Sequence, residues 1–133
     1  VHTAVLNFLY VISESRHQKY RFTSKNQMDL PSFSPFPELY EQATRNLEHA
    51  ILYDYARLLS QTSAQLLLSV AHARNHLRES LDAEILSKLR SSDEDVFIFT
   101  LTPPGYEFVV YMLAILSLGA AICPLCEFRD ILI

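Results

Sequence analysis

Few places in the chain hold side chains whose types and spacing could do chemistry. Cys123-Pro124-Leu125-Cys126 is a CxxC pair, the spacing used for thiol–disulfide exchange when a helix N-terminus lowers the first thiol's pKa. Here the pair ends an apolar run, Glu127 opposes thiolate formation, and no second Cys pair completes a set of zinc ligands. Buried structural cysteine is the expectation. His72 and His76 stand four residues apart and would share a helix face, as metal-binding pairs do. No glutamate follows His72 as it does in zinc proteases, and Arg74 and Arg78 set positive charge alongside, so a solvated face is expected. Asp93, Glu94 and Asp95 gather three carboxylates, but acid–base pairs converge from separate elements, and this run reads as a solvated turn. Phosphate loops draw backbone N–H groups inward where a Cβ would clash. The chain has only two glycines, Gly105 and Gly119, too far apart to build one. No catalytic, cofactor-binding or metal-binding residue is assigned.

The composition bounds what must position any site. Half of the 133 residues are hydrophobic and a fifth are charged, enough apolar material for one globular domain and too little length for two. Net charge is −4 without a basic block, so the footprint of a nucleic-acid binder is missing. Tyrosines and phenylalanines are scattered and read as packing rather than as a platform for bases. With two cysteines, a disulfide-built secreted fold is not expected, and the expected compartment is intracellular: cytoplasm, mitochondrion or peroxisome.

Residues 1–29 read as a poorly ordered or leader-like segment. The apolar run Ala4 to Ile12 is shorter than the ~20 residues of a membrane span. Its positive charges (Arg16, Lys19, Arg21, Lys25) follow it, the reverse of a secretory signal, and Glu14 with few arginines fits a mitochondrial presequence only loosely.

From Leu30 the chain reads as structure. Pro31, Pro35 and Pro37 in LPSFSPFP favour an extended path, with Phe33 and Phe36 as anchors. Glu38 to Leu47 reads as a short helix, with Leu39, Ala43 and Leu47 on one face and Pro37 in its first turn. Ala50 to Tyr53 reads as a brief strand, and Asp54 as the N-cap of a long helix. The helix stripe runs through Tyr55, Leu59, Thr62, Leu66, Val70, Ala73, Leu77 and Leu81. Arg57, Gln61, Gln65, Arg74 and Arg78 take the opposite face, while Leu67 and Leu68 widen the stripe toward a second partner.

After a polar connection from Ser91 to Asp95, Val96 to Leu101 (VFIFTL) has no polar face, as in a strand buried on both sides. TPPG stops it. Tyr106 to Leu118 is apolar almost all round, Gly119 sits where a helix C-cap glycine belongs, and AAICPL is a further apolar run. Strand, turn, helix, glycine and strand make the sequence form of a βαβ unit, expected to be parallel with a right-handed crossover. The expected fold class is α/β: helices on a small, mainly parallel sheet that includes one βαβ unit.

The stretch VFIFTLTPPGYEFVVYMLAILSLGAAICPL resembles the early core of AMP-forming acyl-CoA synthetases and their adenylate-forming relatives. The matching residues are Glu107, Phe108, Val109, Val110, Leu113, Ala114, Ile115, Leu116, Gly119, Ala120, Pro124 and Leu125. A weaker likeness sets Tyr55 and Leu58 of YDYARLLSQTSAQLLLSV on the family's "Y-x-E-L" helix start, with Arg57 at its acidic position, and LPSFSPFPEL resembles the family's lead-in. The likeness covers about Leu30 to Leu125 and departs in two respects: the family's hairpin before that helix reads as deleted, and the family's signature motifs are missing. It implies that residues 30–133 are a partial N-terminal subdomain of an AMP-dependent synthetase/ligase, a scaffold without catalytic residues of its own. The family's Ser/Thr/Gly-rich loop ending in Pro-Lys-Gly, its ribose-binding aspartate, its hinge and its catalytic lysine have no counterpart in these residues. For a full-length relative the resemblance implies a carboxylate substrate, ATP, Mg²⁺ and CoA.

Two other readings compete. Residues 108–126 carry no charge over nineteen positions, the length of a single membrane span, though Gly119, Pro124 and the preceding strand speak against one. The long stripe from Tyr55 to Leu81 would also suit a non-catalytic helical interaction module.

Overall fold

The computed structural model describes residues 4–5, 30–91 and 95–125. In chain order these form β1 (Ala4–Val5), α1 (Phe36–Arg45), β2 (Ala50–Asp54), β3 (Leu59–Thr62) and α2 (Ser63–Ser80). Then follow α3 (Ala83–Arg90), β4 (Phe97–Thr100), α4 (Tyr106–Ser117) and β5 (Ala121–Pro124). The fold is mixed α/β, as expected.

β4 and β5 pair in parallel, with Phe97 beside Ala121 and Thr100 beside Pro124, and α4 connects them. This is the expected βαβ unit. β1 pairs in parallel with the other edge of β4, giving the strand order β1-β4-β5. α4 ends in a Schellman turn: Gly119, at φ +84°, donates to the Leu116 carbonyl, and Ala120 donates to that of Ile115. A side chain other than glycine would resist that φ, so one residue stops the helix and starts the return strand. No helix among the described residues is long and apolar enough to cross a membrane. The competing rod over 108–126 is thus broken: helix gives way to turn and strand inside it.

The core lies between α2 and α4, which pack on each other. Leu66, Val70, Ala73 and Leu77 of α2 meet Val110, Leu113, Ala114 and Ile115 of α4 in one apolar cluster with Ile98 of β4. Each fully buried aliphatic side chain contributes ~1.5–3 kcal/mol. The α2 stripe therefore holds from Leu66 to Leu81, and Leu67 is buried on the widened flank while α1 packs against α2.

Two expectations are corrected and one element is added. The long helix does not begin at Tyr55. Residues 50–62 fold instead as an antiparallel hairpin, β2 against β3, with Tyr53 opposite Ser60 and Asp54 opposite Leu59. Tyr55, at the head of the expected stripe, is 85% exposed in the hairpin loop. α2 starts only at Ser63, where Thr62 and Gln65 form a reciprocal capping box. Ala83 to Arg90, to which the sequence reading assigns no element, forms the helix α3, its partly buried Ile85, Leu86 and Leu89 packed on the core. Finally, β4 is not buried on both faces. Side chains alternate along a strand; Ile98 and Thr100 are buried, whereas Phe97 keeps 42% of its surface exposed and Phe99 is half-buried.

Candidate functional site

The residues singled out for chemistry do not converge. His72 and His76 are both exposed on α2, as a solvated face requires. Cys123 is half-buried in β5, while Cys126 lies outside the described residues. Asp95 is exposed; Asp93 and Glu94 lie outside the described residues. Among the described residues, no group of three or more His, Cys, Asp or Glu side chains could hold a metal ion.

The polar constellation that the fold does assemble is centred on Asp54, only 8% exposed at the end of β2. One carboxylate oxygen, Oδ1, accepts from the backbone N–H groups of Ala56 (3.1 Å) and Arg57 (3.2 Å), closing the hairpin loop. The other, Oδ2, accepts from the backbone N–H of Tyr106 (3.1 Å), the first residue of α4. The cap of α4 is therefore supplied from outside the helix, by a residue far back in the chain. Gly105 makes room for it: its φ of +147° is one that L side chains rarely adopt, and a Cβ there would sit 2.9 Å from Asp54 Oδ2.

Three further bonds lie beside this one. The Arg57 guanidinium donates to both carboxylate oxygens of Glu107, at 2.7 and 3.5 Å. The Tyr106 hydroxyl donates to Ser69 Oγ at 2.8 Å, tying the start of α4 to α2. Arg57 and Glu107 are each nearly half exposed, so their ion pair contributes only ~0.2–1 kcal/mol.

The electrostatics follow from these partners. The Tyr106 N–H holds the Asp54 carboxyl below its ordinary value, against the opposing effect of burial and with help from the Arg57 and Ala56 N–H groups and the Arg57 charge. Burial pushes the Tyr106 hydroxyl up, partly offset by Ser69, and burial followed by the Glu107 charge pushes Tyr111 up. Chemically, both oxygens of the carboxylate are engaged as acceptors. The positive end of the α4 dipole is already met by Asp54 and by Glu107 in the first turn, so a phosphate there would face two negative charges. The arrangement positions the hairpin against the start of α4. A further polar group, Thr100 Oγ1 at the carboxyl end of β4, is buried without a hydrogen-bond partner among the described residues.

Sequence reasoning had placed Asp54 as a helix N-cap and Arg57 on a solvated helix face. The capping role was legible in the residue type; that the capped helix lies some fifty residues downstream was not. Compared with family models, curated proteins and solved structures, the chain matches none at a significant level.

Proposed function

We propose that residues 30–133 are the partial N-terminal subdomain of an AMP-forming acid–thiol ligase, acting as scaffold beneath a catalytic centre built by other parts of a longer protein. The observation that carries this reading is the parallel β4–α4–β5 unit, whose helix and glycine stop hold residues that resemble the family: Glu107 to Val110, Leu113 to Leu116, Gly119 and Ala120. Two more observations support it. A hairpin at Ala50–Thr62 precedes α2, which removes one of the two departures from the family pattern. Tyr55 and Leu58, set on the family's helix start by the resemblance, lie instead in the hairpin loop ahead of α2, so that weaker likeness does not support the reading. In addition, a parallel sheet is ordinarily covered on both faces, and Phe97 with Phe99 marks a face that the described elements leave partly open.

In such a ligase a carboxylate oxygen attacks the α-phosphate of ATP, giving acyl-adenylate and pyrophosphate, and a thiol, usually that of CoA, then displaces AMP. Both steps place negative charge where cationic or N–H donors must already stand. The described residues offer no such cluster: the start of α4 is capped by a carboxylate. Its part is structural. The test is carboxylate-dependent ATP–pyrophosphate exchange, run on the 133 residues alone and on the longest protein product of the same gene. Exchange by the long product and none by the short one is expected. Exchange by the 133 residues, or by neither with any carboxylate of a broad panel, overturns the proposal.

A further inference from the structure

Residues 50–62 stand apart from the rest of the fold in how they are held. They form their own two-stranded sheet, and none of them belongs to the apolar cluster between α2 and α4 or to the side chains packed on it. Tyr53, Tyr55 and Leu58 of the hairpin are 59%, 85% and 91% exposed. A two-stranded hairpin is marginal on its own. What joins this one to α4 is polar and two-pointed: Asp54 Oδ2 on the Tyr106 N–H, and the Arg57 guanidinium on Glu107. The same carboxylate closes the hairpin loop through Ala56 and Arg57. Loop closure and docking therefore share one group.

We propose that the β2–β3 hairpin is an acid-releasable clasp on the start of α4, with Asp54 as its positioning residue. Protonation of Asp54 turns one of its two acceptor oxygens into a hydroxyl. Three N–H groups, two in the loop and one in α4, then compete for a weaker acceptor. The charged groups at the clasp are Arg57 from the loop and Glu107 from the start of α4, with the Tyr106 hydroxyl turned instead to Ser69 on α2. Of these, the Arg57 charge is the one that favours the ionised Asp54. Because the folded carboxyl titrates below its ordinary value of 3.8, the clasp is held above that value and released as pH falls through the folded one. Release uncovers the first turn of α4 and leaves the α2–α4 core intact. The inference does not depend on the ligase reading.

Hydrogen exchange read by mass spectrometry on the whole chain tests it. Peptides covering the hairpin loop and the start of α4 are compared with a reference peptide inside α2. In Asp54→Asn at neutral pH, the loop and α4-start peptides should lose protection together, about tenfold or more, while the reference changes little. Glu107→Gln, which leaves the carboxylate cap in place, should change the same peptides far less. In the unsubstituted chain, protection should drop at both places on acidification before it drops in α2. Loss at only one of the two places, or loss everywhere at once in either experiment, overturns the proposal.

Discussion

At the scale of single residues, two positions are held against their own preference. Leu58 closes the hairpin loop at φ +52°, a left-handed conformation that glycine and asparagine adopt readily and leucine does not, and its side chain is 91% exposed. Leu58→Gly should therefore stabilise the chain, by ~0.5–1 kcal/mol in a denaturant midpoint series. Unchanged or lower stability would mean that the leucine makes a contact its exposure does not reveal. Thr100 buries a hydroxyl without a described partner. Thr100→Val keeps the shape and removes the unpaired group, and should raise stability by ~1 kcal/mol, since leaving a buried donor unmet costs ~1–3. A loss of similar size would instead reveal a bound water or ligand on that hydroxyl. Gly105 is the opposite case. Its backbone conformation and the 2.9 Å approach of Asp54 leave no room for a methyl group, so Gly105→Ala should destabilise by ~1–3 kcal/mol. An alanine variant with the melting behaviour of the parent would show that the tertiary cap of α4 is dispensable.

Elements differ in how openly the sequence announces them. β4, α4 and β5 were legible because each boundary is local: an apolar run without a polar face, TPPG, and a glycine in place to end the helix. The α2 stripe was legible from Leu66 onward for the same reason. The hairpin was not. Its loop, Tyr55-Ala56-Arg57-Leu58, contains no Gly, Pro or Asn, and the flanking leucines happen to continue a helical spacing. The start of α2 does carry a local signal, since Thr62-Ser63-Ala64-Gln65 is a capping box with both of its bonds made. Thr62→Ala should remove that cap at a cost of ~1 kcal/mol, seen as earlier thermal loss of helical circular dichroism; no shift would mean that tertiary packing alone sets where α2 begins. α3 stayed hidden because its short apolar set follows two extended residues, Leu81 and Asp82, in a polar context. The Asp54 site was legible only as a residue type. Its second partner, Tyr106, is brought near by the packing of α4 beside the hairpin, and no local pattern encodes that meeting.

For the molecule as a whole, the described parts make one two-helix core with a parallel three-stranded sheet beside it and an antiparallel hairpin attached by polar bonds. The buried side of β4 is complete, and its other side carries Phe97 and Phe99 in register with Ala121 and Cys123. Under the proposed ligase reading, that second side is interior sheet awaiting cover from the rest of a larger α/β protein, and this is its central claim. Sequencing the transcript on the 3′ side of the Ile133 codon tests that claim most directly. The account predicts a continuing frame with a Ser/Thr/Gly-rich loop ending in Pro-Lys-Gly; a frame that closes without one, in every transcript of the gene, would contradict it.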